Sequence, residues 1–511
     1  MLALEQAVIA WRRASWHGNA LVLGYDESSG GRIEAIADKI QEEVHVAPHV
    51  LIIVQNLPVP LDRRVWLECR ALRAAGYEVS VICPKGPGDP AYAVLDGVHL
   101  YKYAPPEQAD GLLGYAWEFV YCWLRTAALT LKVRRRARFD VMQACNPPDT
   151  YWALALPWKL DGVKFVFDHH DLNPEVFRSR FGEPKSLPSK IQLTILKWLE
   201  RRTFRTANRV ISTNTSYRDI AVNRGGVPRE HTTVVRSGPD TSVMRPVYAD
   251  PAVRRGGEHL VAYLGIMGPQ DGVDGVLEAA DRIVNLHGRK DFRFVLLGFG
   301  DCLEDLKRQS TDLGLDDYVE FTGRVGPEQI AKYLSASTIG LSPDPRSPLN
   351  DVSTMNKTME YMAYALPVVA YRLTETVVSG GECAVYVEPG DSDGLADAVV
   401  ALADDPARRA ELGTAGRRRA EQVLDWRPQA QAYIGVYDEL LHFQSKGPFP
   451  DGWPTTDRRS ETATGELADQ WGNRLVDLRD ETALRAFAAT RIMAAPGQPT
   501  GSPSDSKPQA S

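Results

Sequence analysis

The stretch HVLIIVQNLPVPLDRRVWLECRALRAAGYEVSVICP, residues 49 to 84, sets two short apolar runs on either side of an amphipathic helical segment. Apolar runs bounded by turns and joined through a helix are the pattern of parallel strands buried on both faces. The alternation repeats. After GVHLYKYA come a long aromatic helix, DVMQAC, a helix near Tyr151 and KFVFDHHD. A second series opens at HLVAYLG, residues 259 to 265, and continues through FRFVLLG, YVEFTG, TIGLSPD, PVVAY and CAVYVEP. The expected fold class is α/β, with two facing Rossmann-like, doubly wound parallel-sheet domains and a cleft between them.

The chain has 511 residues, 44% hydrophobic and 24% charged, which is enough for two large cores. Residues 1–46 read as an N-terminal extension with one predicted helix, Ile33 to Val44. Residues 47–240 form the first domain and 250–442 the second, joined around Ser237 to Ala249. Helices after Asp391, ending with Asp425 to Leu441, are expected to close the second domain. Residues 443–511 read as a mostly disordered tail, ending in GQPTGSPSDSKPQAS, with at most a short helix at 475–494. A net charge of −7 gives no global attraction for nucleic acid. Six scattered cysteines, without a CxxC or a histidine at ligand spacing, read as reduced core thiols and not as a metal centre. The N-terminus lacks a charged-then-apolar leader pattern and no window is apolar for eighteen residues, so the expected location is cytoplasmic.

Ligands of open α/β sheets bind at the carboxyl ends of the strands, which directs attention to the post-strand segments. The most informative is SPLNDVSTMNKTMEYMAYALPVVAY, residues 347 to 371. A helix is expected to begin near Thr354, capped by Ser353 or Thr354. Lys357 and Glu360, three apart, then share a face near an end whose unpaired N–H groups favour an anion. The plain alternative is a solvated Lys–Glu pair.

Taken in order, several segments resemble the retaining GT-B glycosyltransferases of family 4, over roughly residues 49 to 441. They are DRRVWLECRALRAAGYEVSVICP, FDHHDLNPEVF, LERRTFRTANRVISTN, AYLGIMGPQDGVDGVLEAA, FVLLGFGDCLEDL, VEFTGRV and KTMEYMAYALPVVAY. The resemblance implies a nucleotide-sugar donor in the second domain and an acceptor on the first. Glu360 matches the carboxylate that holds the donor ribose, a role suited to an acceptor of two hydrogen bonds from a cis-diol. Gly298 and Gly300, with Gly268 in the preceding loop, would let the backbone approach the donor. Arg324 and Val325, after Gly323, sit where main-chain groups read the base. His170 matches the imidazole facing the donor sugar, oriented by Asp171, with His169 as its rival. Asp62, Arg63 and Arg64 stand where relatives have a Gly-rich turn, so an arginine side chain could replace backbone contacts to the diphosphate.

Two departures stand out. GIMGPQDGVD lacks the Arg and Lys that many relatives set against the diphosphate, and position 352, where relatives often carry a first Glu, is Val352 beside Asp351. Lys357 is therefore the expected phosphate cation, with Ser353 and Thr354 N–H groups completing the cradle. The variant resembles a subgroup tied to bacterial surface polysaccharide and amino-sugar transfer. It implies a retaining transfer from a nucleoside-diphosphate sugar to a hydroxyl acceptor, in cell-envelope or exopolysaccharide assembly. Neither cofactor nor metal is expected, since DSD at 391–393 more simply caps a helix near Gly394. A nucleotide-sugar epimerase and a non-catalytic partner subunit are the alternatives; a dehydrogenase is disfavoured because no GxGxxG follows the first strand.

The acceptor reading rests on GLLGYAWEFVYCWLRTAALTLKVRRRARF, residues 111–139, which is aromatic at first and basic at its end. Such a segment suits contact with anionic headgroups, and Glu118 and Arg125 argue against spanning. A lipid-linked acceptor and peripheral contact with the inner face of the membrane follow as expectations, with a core helix as the alternative.

Overall fold

The computed structural model describes residues 47–106, 111–449, 460–461 and 467–491, with backbone alone at 111–116 and 460–461. The helix expected at Ile33 to Val44 and the terminal GQPTGSPSDSKPQAS lie outside the described residues. In chain order the elements are β1 (His49–Ile53), α1 (Arg63–Ala75), β2 (Glu78–Pro84), β3 (Tyr92–Leu95), β4 (Val98–Tyr103), α2 (Gly111–Arg136), β5 (Val141–Cys145), α3 (Trp152–Leu160), β6 (Lys164–His169), α4 (Asn173–Phe181), α5 (Leu187–Thr206), β7 (Arg209–Ser212), α6 (Thr215–Asn223) and β8 (Thr232–Val234). The second series follows. It holds β9 (His259–Ile266), α7 (Val273–Asp281), β10 (Phe292–Phe299), α8 (Leu303–Asp312), β11 (Val319–Gly323), α9 (Pro327–Ala336), β12 (Ile339–Ser342), α10 (Asn356–Ala363), β13 (Val368–Tyr371), α11 (Thr374–Gly380), β14 (Ala384–Val387), α12 (Ser392–Ala403), α13 (Pro406–Arg419), α14 (Trp426–Leu441), β15 (Ser460–Glu461), β16 (Leu467–Ala468) and α15 (Glu481–Thr490).

The first sheet runs β3-β4-β2-β1-β5-β6-β7-β8 and the second β11-β10-β9-β12-β13-β14. Every pairing in them is parallel except the β3–β4 hairpin. All five residues of β1 and of β5 are buried, as continuous apolar strands under helices on both faces must be. Helix α1 starts where the Asp62 carboxylate accepts the Val65 N–H, and it ends at Gly76, whose φ of 98° supplies the left-handed cap. Asp391 caps α12 by accepting the Gly394 N–H.

Three sequence expectations are corrected. Helix α10 begins at Asn356, without a side-chain cap, two residues beyond Thr354. The reason is tertiary: the Ser353 hydroxyl donates to Leu349 O at 2.7 Å and meets Tyr217 OH at 3.0 Å, while Thr354 Oγ1 accepts from Asn214 at 3.0 Å. These bonds hold both residues in the loop.

Helix α14 does not close the second domain. Trp426, Ala430, Tyr433, Ile434 and Tyr437 form one apolar stripe buried in the core of the first sheet, with α1 and β1. Both tyrosine hydroxyls donate to Gln143 Oε1 of β5, Tyr433 at 2.6 Å.

Part of the expected tail is folded. Residues 467–476 form a hairpin on the linker, where Tyr248 N donates to Arg474 O and Val476 N to Pro246 O. Helix α15 then packs on α13, and Arg491 donates to the carbonyls of Leu334, Tyr364 and Ala365 at 2.7–3.1 Å. Leu484, Phe487 and Ala488 are buried there, apolar surface that a disordered tail would leave in water.

Candidate active site

A cleft of about 780 Å³ lies at the carboxyl ends of the second sheet and faces α1 of the first. Its floor includes Gly265 and Gly298, at the tops of neighbouring strands. Gly298 has φ of 154°, and a Cβ there would lie 1.8 Å from Gly265 O, so the approach of β9 to β10 itself demands glycine. Gly300 meets Met267 O in the same way at 2.5 Å but does not line the cleft. Gly268 is also off the lining, its N–H donated to Asp271 Oδ2 at 3.0 Å. Arg324 and Val325 reach the cleft as expected, and Arg324 stands 5.6 Å over the Phe299 ring.

Helix α10 supplies the charged groups, and they do not pair with each other. Lys357 Nζ is 2.5 Å from Asp344 Oδ1 and 5.2 Å over the Tyr263 ring. Burial would lower the ammonium pKa, but Asp344 and Asp271 more than offset it and hold the group charged. Burial in turn pushes Asp271 up to about 6, against the pull of Lys357. Neither aspartate could be assigned from local sequence, since their meeting with Lys357 is made by the sheet. Glu360 Oε1 pairs with Arg63 Nη1 at 2.6 Å, across the cleft.

Arg64, expected near the diphosphate, is buried and engaged elsewhere. Its guanidinium lies 3.0 Å from Glu68, 2.9 Å from Asp168 and 3.0 Å from His170 Nε2, and it donates to Val235 O at 2.7 Å. His170 Nε2 is also 2.6 Å from Asp168 Oδ2, so Asp168, not Asp171, positions the imidazole. Asp168 is fully buried, yet Arg64 and then His170 outweigh the cost of burial and depress its pKa. Burial and the neighbouring Asp168 carboxylate push the Glu68 pKa the opposite way, upward. Gln143 donates to both and links them to α14. The Asp-x-His spacing of FDHH is the one local signal that pointed to Asp168.

His169 is the packed member of the pair. It is fully buried among Phe167, Phe204 and Tyr217, and burial drives its pKa down to about 3. The backbone N–H groups of His170 and Asp171 both donate to Asn146 Oδ1, which fixes the turn that carries them. Asp351, beside the position where relatives carry a Glu, uses its carboxylate to accept the N–H and hydroxyl of Thr374, at the start of α11. Among the described residues Cys145, Asp168 and His170, and separately Glu258, His259 and Asp291, cluster closely enough to be considered as metal ligands; in the first cluster Arg64 pairs with Asp168 and donates to His170 Nε2.

Two family models match: "Glycosyl transferase 4-like domain" over residues 61–238 and "Glycosyl transferases group 1" over 258–405. An alpha-D-kanosaminyltransferase of Streptomyces kanamyceticus is 28% identical over 74% of this chain and 98% of its own. An MMP alpha-(1->4)-mannosyltransferase of Mycolicibacterium hassiacum is 26% identical over 48% of this chain, which spans just 57% of that relative. Anabaena HepE, solved in complex with UDP-glucose, shares the fold with a TM-score of 0.57 at 16% identity, over 77% of this chain and 100% of its own. Fold and matches together define a GT-B glycosyltransferase of family 4.

Proposed function

We propose that the enzyme is a retaining glycosyltransferase that takes a sugar from a nucleoside-diphosphate donor and delivers it to a hydroxyl of a lipid-linked acceptor in cell-envelope or exopolysaccharide assembly. The observation that carries the donor reading is Glu360, a carboxylate in a cleft of about 780 Å³ with the Lys357 ammonium one turn away. The ribose diol would replace Arg63 as the partner of Glu360, freeing that guanidinium for the diphosphate. Lys357 has three N–H donors and uses one on Asp344, so it can meet a phosphate oxygen as well. Val325 and Arg324 line the same cleft and would meet the base, and the UDP-glucose complex of HepE supports a nucleotide-sugar donor.

Retention without an obvious side-chain nucleophile among the described residues favours a front-face transfer. The bond between anomeric carbon and phosphate oxygen breaks, the acceptor oxygen bonds the same face, and the acceptor proton passes to the departing phosphate. His170, held by Asp168 and Arg64, would hydrogen-bond the transferred sugar. The test is a thermal-stabilisation screen of UDP-, GDP- and dTDP-sugars, followed by NMR of the product anomer. An inverted product would sink the retaining reading, and absence of stabilisation by every donor would sink the donor class.

The acceptor reading rests on the first domain. On α2, Cys122, Thr126, Thr130 and Val133 are buried, while Trp117, Val120, Leu124 and Leu131 are exposed. One face of this helix is therefore packed in the core, and the other presents apolar side chains to solvent. A second stripe, unnoticed in the sequence, runs along α5: Leu187, Ile191, Ile195 and Trp198 are all about half exposed or more. A groove of about 310 Å³ between them is walled by Phe119, Trp123, Trp152 and Leu199. Apolar stripes flanked by Lys132, Arg135 and Arg136 suit an anionic lipid surface. Arg134 is not part of that set, since it is paired with Asp161 and lies over Phe139 and Trp158.

A further inference from the structure

The two family models end at residues 238 and 405, so the folded segment at 467–491 lies outside both. It nevertheless brings a side chain to the cleft: Trp471 lines the same cavity as Glu360 and Tyr364. Trp471 stands at the tip of the hairpin that follows β16, and the tip is firmly built. Asp469 accepts the N–H groups of Trp471 and Asn473 at 2.9 and 2.8 Å and the Asn473 side-chain amide at 2.9 Å, and Gly472 turns with φ of 84°. Below the tip, Leu467 and Leu475 pack into the cluster that also holds Val325 and Ile330, which line the cleft beyond Glu360. Lys357, which the donor reading assigns to the phosphate, lines the same cleft. The base of the hairpin is closed by Leu475 N donating to Leu467 O and is zipped to the linker through Tyr248 N and Val476 N, and Arg491 locks the segment's far end onto three carbonyls.

From this placement we propose that Trp471 is a donor-binding residue which the C-terminal segment contributes to the nucleoside end of the cleft, where its indole offers a face to the base. The inference rests on the nucleotide-sugar reading above and extends it beyond the residues that the family models match. An indole contacts any base through its π-face, so this wall supplies affinity, and the main chain near Val325 supplies the choice between bases.

The test uses the full chain and calorimetry with UDP, GDP and dTDP, with inorganic pyrophosphate as a base-free probe. Trp471→Ala is expected to weaken the preferred nucleoside diphosphate about tenfold, by the usual strength of base–aromatic stacking, and to leave pyrophosphate binding unchanged. Trp471→Phe, which keeps a ring and the hairpin, is expected to recover most of that affinity. Glu360→Gln serves as the separate control for the cleft. If Glu360→Gln weakens nucleotide binding and Trp471→Ala does not, the Trp471 inference is overturned while the donor reading stands. Equal losses of nucleotide and pyrophosphate in Trp471→Ala would also overturn it, since a merely structural role predicts that. Failure of the unaltered chain to bind any of the three nucleotides would overturn both readings together.

Discussion

Glu360 and Arg63 hold each other at 2.6 Å, so the proposed ribose contact would compete with that pair. Glu360→Gln keeps the shape and removes the charge; with each charge-assisted bond contributing about 1.5–3 kcal/mol, donor affinity should fall tenfold or more with thermal stability little changed. Calorimetry showing unaltered affinity would remove the ribose role. Lys357→Ala should lower kcat more than donor affinity, because phosphate charge grows as the sugar leaves, and equal losses in both would reduce Lys357 to a ground-state contact. The paired histidines separate by pH. His169 titrates near 3 when folded and near 6.5 when free, so its contribution to stability is complete above 6.5 and is lost as pH falls toward 3. Asp149, pushed up to about 7 by burial, slopes the other way: its contribution is complete below 3.8 and is lost as pH rises through 7. Comparing His169→Phe with the native chain cancels that second slope. Between pH 7 and pH 5 the native chain should lose about 2 kcal/mol relative to the variant, read from denaturant unfolding. A pH-independent difference would show that His169 is not held neutral. His170→Ala, by contrast, should abolish transfer while leaving that pH profile intact.

At the scale of elements, what was legible depended on how local the cause is. Five of the eight strands of the first sheet, all six of the second, and the place of Glu360 and Lys357 at the head of α10 follow from runs and spacings within twenty residues and were readable, whereas the short strands β3, β7 and β8 were not. The long-range partners were not: Asp344 and Asp271 meet Lys357, and Asp168 meets Arg64, only because separate elements carry them together. Helix α14 shows the same limit, since its apolar stripe is plain in sequence but nothing local says which sheet it covers. The stripes of α2 and α5 give this scale its own prediction. Replacing Lys132, Arg135 and Arg136 with Glu should release the protein from anionic liposomes in a sedimentation assay, and raised salt should weaken binding of the native chain. Replacing Arg134 should do less, because its charge is already answered by Asp161. A native chain that never sediments with such liposomes would return the acceptor to the soluble phase.

For the whole molecule, the bonds that join the halves set how the cleft closes. Ser216 and Arg236 of the first half reach Glu375 on α11 at 2.6 and 3.4 Å, and Asn214 and Tyr217 reach Thr354 and Ser353. The loop before α10 is therefore gripped from the opposite side, so the position of the head of α10 is coupled to the approach of the first half. The described chain passes between the halves three times: at the linker, again into α14, and once more between Phe443, packed on the first core, and the hairpin at 467–476. That weaving has a consequence for anyone who would cut the protein in two. A fragment of residues 47–240 lacks the stripe of Trp426, Tyr433, Ile434 and Tyr437 and leaves Gln143 without both tyrosine hydroxyls, so alone it should aggregate. Adding a peptide spanning residues 424–443 should rescue it, as a missing stave restores a barrel, and light scattering would show the difference at once.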